Sequence, residues 1–209
     1  MARQIDSVEA VRNYHRLSKH RLDRFAPGPG RLDWATQPDP FRRFTGAPMT
    51  ELPLRADRLR TSVRALDCSH GVAPHPVDLE RIGVLLELSV GLSAWKRYRS
   101  TRWALRCNPS SGNLHPTEGY LVCGRLPGLE PGVHHYVSHD HVLEQRAGCD
   151  REAWSDLFEG GVVLALTSVF WREAWKYGVR AFRYCQHDVG HAIAAVRYAA
   201  AALGWRAKL

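Results

Sequence analysis

The stretch Arg106-Cys107-Asn108-Pro109-Ser110-Ser111-Gly112-Asn113-Leu114-His115-Pro116-Thr117-Glu118-Gly119-Tyr120-Leu121-Val122 decides the reading of this chain. It runs a basic residue, a Pro-led turn, two hydroxyls, Gly and Asn into one short loop, then passes into the strand-like Tyr120-Leu121-Val122. Such a loop offers backbone N–H groups, hydroxyls and an amide to one ligand. Gly112 allows close backbone approach, and Pro109 and Asn113 are turn formers. Ser110 or Ser111 can cap a short helix, whose N-terminus favours an anion. A plain surface turn has the same composition, so the loop alone leaves both readings open.

A second stretch narrows the choice: Lys176-Tyr177-Gly178-Val179-Arg180-Ala181-Phe182-Arg183-Tyr184, followed by Asp188-Val189-Gly190-His191. Together the two stretches resemble the FMN-dependent nitroreductase family, whose flavin-contacting loop reads much like Pro-Ser-Ser-x-Asn before a strand. The resemblance is closer to the azoline (thiazoline/oxazoline) dehydrogenase branch. There Pro-Ser-x-Gly-x-x-His/Tyr-Pro-x-Glu-x-Tyr is typical, and Lys-Tyr-Gly-x-Arg precedes an acidic residue, Gly and His that open a long helix. The likeness covers Asp57 to Leu209, and Tyr14-His15 with Leu32 to Pro38 look like the leader segment of that branch.

The resemblance implies an α+β fold, a mostly antiparallel sheet flanked by helices. It implies an N-terminal extension over 1–55, a helix plus a Pro/Gly-rich wrapping segment, ahead of an FMN domain over 56–209. It places FMN against Pro109, Ser110, Ser111, Gly112 and Asn113, with Arg106 and His115 as further contacts, at an interface between two such domains. Arg60, Ser62 and Arg64 resemble the segment that clamps the FMN phosphate, where Arg forks phosphate oxygens and Ser adds a donor; a solvated charged turn is the plain alternative. Lys176 and Tyr177 match the pair associated with proton removal beside the flavin, a role that a Lys or a Lys-neighboured Tyr can fill; packing is the alternative there. NAD(P)H is the implied electron donor. In the family another strand, a loop and a C-terminal arm follow Ala-Ala-x-x-Leu-Gly, so the chain is expected to be incomplete at Leu209. A non-catalytic flavoprotein half, acting as a partner subunit, is the rival expectation.

Composition sets the bounds. The 209 residues are 44% hydrophobic and 24% charged, enough for a globular core. No apolar leader segment follows Met1 and no run is long enough to span a bilayer, so a cytoplasmic protein is expected. Cys68, Cys107, Cys123, Cys149 and Cys185 are scattered without Cys-x-x-Cys spacing, which reads as reduced thiols. The formal net charge of +8 is concentrated in residues 1–64, which hold 13 Lys and Arg against 7 Asp and Glu. The basic residues are interspersed with acidic ones and form no stripe, which argues against a nucleic-acid surface. No Gly-x-Ser-x-Gly elbow and no Gly-x-Gly-x-x-Gly occur. His187 and His191 have helical spacing but no third ligand, and His134 and His135 should point to opposite sheet faces, so no metal site is expected.

Helices are expected over residues 6–20 with Ser7 as cap, over Asp78 to Ser89 with Asp78 as cap, over Arg151 to Phe158 with Asp150 as cap, and from Asp188 to Leu203. Ala26 to Pro53 reads as an extended connector without elements, docked by Trp34, Phe41 and Phe44. Strands are expected over Gly119 to Cys123, Val133 to Val137 and Val142 to Glu144, with Val162 to Val169 as a fully buried strand.

Overall fold

A computed structural model describes residues 6–67, 71–149 and 161–209. In chain order its main elements are α1 (Ser7–Ser18), β1 (Met49–Glu51), α2 (Leu79–Ser89), β2 (Leu92–Tyr98), β3 (Thr101–Arg106), β4 (Thr117–Cys123), β5 (Gly132–Val137), β6 (Val142–Gly148), β7 (Val162–Ser168), α3 (Phe170–Tyr177) and α4 (Ala181–Ala202). Five strands form one antiparallel sheet in the order β1-β6-β5-β4-β7, and β2 and β3 form a separate hairpin.

Strand alternation divides the sheet into two unlike faces. Leu121, Cys123, Tyr136 and Leu143 turn to one side, where Ile82, Leu86 and Val90 from the α2 segment and Ala192 of α4 complete the core. Small residues let α4 approach closely: Ala192, Ala199 and Ala202 are all buried. The other face carries Glu118, His135 and Glu144, and the connector covers it. Phe44 lies edge-on to His135 at 5.1 Å and donates its N–H to the Glu144 carboxylate at 3.1 Å. Trp34 packs edge-on to Trp175 at 5.4 Å, and the Trp175 indole N–H donates to the Asp33 carbonyl at 3.2 Å.

Several expectations are corrected. The connector is not free of elements: Met49–Glu51 pairs with β6, and Trp34–Thr36 makes a 3-10 turn. Pro48 and Pro53 bracket that strand and mask it in the sequence. The β2–β3 hairpin and α3 lie outside the expected elements; the hairpin is exposed along most of its length, so its polar–apolar contrast is weak. The long helix begins at Ala181, seven residues before Asp188, which therefore sits inside it as a buried side chain. The apolar run over β7 lies at the sheet edge and is partly exposed, with Val163 at 49%, because among the described residues β7 pairs only with β4. β6 continues to Gly148, and Asp6 rather than Ser7 caps α1. Asp78 caps α2 as expected, donated to by the Arg81 N–H at 2.8 Å. The expected helix over 151–158, and Cys68, fall outside the described residues. Among the described residues no helix is long and apolar enough to cross a membrane.

Candidate functional site

The loop after β3 is held in an uncommon backbone shape. Gly112, Asn113 and His115 have φ of 63°, 60° and 47°. Non-glycine residues in that region cost on the order of 1–3 kcal/mol each and persist only where surroundings enforce them. The enforcement is visible. Asp188, 1% exposed, takes the Ser110 hydroxyl at 2.6 Å on one oxygen and the Ser111 N–H and hydroxyl at 3.0 Å each on the other. The His115 N–H donates to the Ser110 hydroxyl oxygen at 2.8 Å. The Asn113 amide donates to the Ala104 carbonyl at 2.8 Å and accepts from His115 Nε2 at 3.0 Å.

The second stretch closes on the same loop. Lys176 Nζ lies 3.4 Å from the Gly112 carbonyl, 64 residues away in sequence. A Cβ on Gly112 would stand 2.6 Å from the Tyr177 hydroxyl and 3.0 Å from Lys176 Nζ. Gly112 is therefore required by two neighbours of its own chain as well as by its φ. The Tyr177 hydroxyl is held above its ordinary pKa by burial, then by Glu173 and Tyr184. Its ring packs on Tyr184 at 4.4 Å, with the Arg180 guanidinium over both.

Other expected site residues are placed differently. Arg106 is buried and donates to the Thr117 and Pro40 carbonyls at 3.2 and 2.6 Å; burial lowers its pKa to about 10. It supports the loop from behind. His115 is buried, and burial followed by the charges of Arg106 and Arg172 lowers its pKa to about 3, so its imidazole is neutral. The serines do not cap a helix: Ser111–Asn113 is a single 3-10 turn without a side-chain cap bond, too short for an anion site. Arg60, Ser62 and Arg64 are exposed at the far end of α4, where the Thr61 hydroxyl donates to the Ala202 carbonyl at 2.8 Å. Asp188 precedes Ala202 by 14 residues, or about 21 Å of helix. Within one chain these three residues and the loop are not brought together.

Behind the site are Glu173 and Arg172, which no sequence motif marks, together with Glu118 and His135. Glu173 is 0% exposed, and among the described residues neither carboxyl oxygen has a hydrogen-bond partner. Arg172, beside it, turns the other way to pair with Glu118 and to donate to the His115 carbonyl at 2.7 Å. His135 links Glu118 and Glu144 at 2.8 and 3.1 Å. The signal that reveals Glu173 is its place one turn before Lys176 in an amphipathic helix.

The residues present fit a flavin in part. Gly112 and Pro109 are exposed and Lys176 is half-buried beside them, so backbone and one ammonium can meet a ring edge. The Ser110 and Ser111 hydroxyls are committed to Asp188, and the Asn113 side chain to its own chain. Asn108 Oδ1 and His115 Nδ1, both buried next to the loop, have no partner among the described residues. Among these residues no group of His, Cys, Asp and Glu is placed to hold a metal ion.

The architecture is a nitroreductase-like fold. A solved structure of a "putative nitroreductase" from Anabaena variabilis superposes with a TM-score of 0.66 at 28% identity, covering 90% of this chain and 38% of that one. A curated protein, "putative nitroreductase" of Methanocaldococcus jannaschii, is 26% identical over 137 residues, 62% of this chain and 66% of its own length. The chain thus spans less than two thirds of either relative. A chain of the E. coli microcin synthetase McbBCD complex with truncated pro-MccB17 bound lies further off, at 17% identity and a TM-score of 0.49, covering 98% of this chain and 70% of that one. No family model matches the sequence.

Proposed function

We propose that this chain is an FMN-dependent oxidoreductase domain of the nitroreductase type, working in the cytoplasm with NAD(P)H as electron donor. When bound, FMN supplies two-electron hydride transfer to or from the substrate, a small molecule or a peptide azoline. The observation that carries the reading is the convergence of Lys176 and Tyr177 on Gly112, in a loop whose left-handed backbone is pinned by Asp188. Strained backbone beside a Lys–Tyr pair marks a place built to present groups rather than merely to turn. Lys176 is the candidate for proton transfer at the substrate, with Tyr177 beside it; Pro109, Gly112 and the backbone of Ser110 to Asn113 are the candidate flavin contacts. Arg106 and His115 act by holding the loop.

Arg60, Ser62 and Arg64 enter this reading only through pairing. At on the order of 20 Å from the loop along α4 they lie beyond a ribityl phosphate bound there. A flavin that uses both sets is shared with a second copy or a second nitroreductase-like domain. The same separation, with the serine hydroxyls held by Asp188, favours one other reading: a non-catalytic half that completes a partner's site.

The test is the absorption spectrum of the purified chain before and after adding FMN. The expected outcome is a flavin spectrum that co-elutes with the protein and bleaches with NAD(P)H. A colourless chain that refuses added FMN removes the enzyme reading and leaves the partner half.

A further inference from the structure

Glu173, Lys176 and Tyr177 occupy positions i, i+3 and i+4 of α3 and share a helix face. Glu173 points its carboxyl into the protein, fully buried and without a hydrogen-bond partner among the described residues. The charged and titratable groups that act on it are Lys176 on its own helix and Asp188 on α4, and Glu173 acts in turn on Tyr177 of α3 and Cys185 of α4. Asp188 is an anion served by three donors. A second buried carboxylate beside it would have no donor among the described residues and would face a like charge. Such a group keeps its proton instead.

The proton has a consequence for Lys176. An ionised Glu173 would draw the ammonium inward as an i,i+3 ion pair. A neutral Glu173 leaves it outward, on the Gly112 carbonyl, where the structure has it. We propose that Glu173 is a positioning residue that stands as a neutral carboxylic acid behind the site and, by being neutral, holds Lys176 at the loop. The inference rests on the proposed function for its catalytic meaning, though not for the protonation itself. Burial, then Asp188, raises the pKa of Glu173 to about 8, so the switch falls just above neutrality.

The test starts on the wild-type chain, without flavin. Infrared spectroscopy should show a protonated-carboxyl band at pH 7 that fades as pH rises through 8. The band should be missing from Glu173→Gln. Because Glu173 binds its proton more tightly folded than unfolded, wild-type stability should fall between pH 4.5 and 8, and Glu173→Gln should not share that loss. The difference in Tm between Gln variant and wild type should therefore widen over that interval. No band at pH 7, or a Tm difference that does not change with pH, overturns the proposal. With flavin loaded, wild-type turnover should decline above pH 8 while Glu173→Gln keeps its activity there; a shared alkaline decline overturns the link to Lys176. A chain that binds no flavin yet shows the band refutes the oxidoreductase reading and leaves the protonated Glu173 established.

Discussion

Two pairs of buried acids lie within this small fold, and they are treated in opposite ways. Glu118 and Glu144, under the connector, are compensated on every side. Glu118 meets His135 at 2.8 Å and pairs with Arg172; Glu144 meets His135 at 3.1 Å and takes the Phe44 N–H. Burial pushes the Glu118 pKa up, but His135, Arg172 and Arg106 together bring it below the ordinary value. Asp188 and Glu173, between α3 and α4, divide instead into one satisfied anion and one carboxyl with no partner among the described residues. Acids held by hydrogen bonds and ion pairs from several elements work as a fastener, here for the connector. An uncompensated carboxyl has two states close in energy, and it stands beside the loop that Lys176 touches. The contrast separates architecture from function where residue type alone does not.

Breaking the compensated cluster should have the largest effect on stability. Glu118→Ala leaves Arg172 and His135 buried without their shared acceptor, which should cost about 3–5 kcal/mol. Urea denaturation reads this directly, and a loss below about 1 kcal/mol would show that water or rearrangement replaces the carboxylate. Acid should act on the loop, through His115. His115 has a folded pKa of about 3 against an ordinary 6.5, so the unfolded chain gains the proton first as pH falls. The stability it contributes is complete above pH 6.5 and is lost progressively towards pH 3. His115→Gln should flatten that decline in a pH series of thermal melts. The Glu173 dependence has the opposite sign, with stability lost as pH rises from 4.5 to 8, so His115 and Glu173 can be told apart in one titration.

Next in size is Gly112→Val. It places a branched Cβ 2.6 Å from the Tyr177 hydroxyl in a residue with φ of 63°. The expected cost is about 1–3 kcal/mol, together with loss of FMN affinity measured by fluorescence titration. Unchanged affinity would remove the loop from the binding site. Gly112→Ala keeps the positive φ and most of the clash without the branch, and should fall between the two.

The parts that sequence revealed are those in which local chemistry and tertiary role coincide. Asp78 caps α2, the strands expected over Gly119 to Cys123 and Val133 to Val137 lie in β4 and β5, and the Pro-Ser-Ser-Gly-Asn loop carries its own turn residues. The resemblance sets the loop and the Lys176–Tyr177 pair beside one cofactor; the structure places Lys176 Nζ 3.4 Å from the Gly112 carbonyl. What stayed hidden depends on distant partners. The three-residue β1 exists through pairing with β6, and the start of α4 follows from Gly178 at φ 53°, which turns the chain out of α3. The serine hydroxyls look like ligand donors in sequence, and only the fold shows Asp188 taking them. Glu173 carries no motif; its meaning comes from its burial without a hydrogen-bond partner among the described residues.

The smallest expected change in stability separates the two clusters most sharply. Lys176 is half-buried, and its hydrogen bond to the Gly112 carbonyl is long, at 3.4 Å. Lys176→Ala should therefore shift stability by no more than about 0.5 kcal/mol, the range of an ordinary surface substitution. Flavin affinity should stay near wild type, since the loop is held by Asp188 and not by the ammonium. Turnover should fall by roughly 10²–10⁴-fold, the usual worth of a positioned acid or base. If flavin is lost with the lysine, Lys176 belongs to binding, and the outward position that Glu173 maintains is a contact for the cofactor rather than a place for proton transfer. If turnover is unchanged, the proton moves through Tyr177, and Tyr177→Phe should then carry the loss.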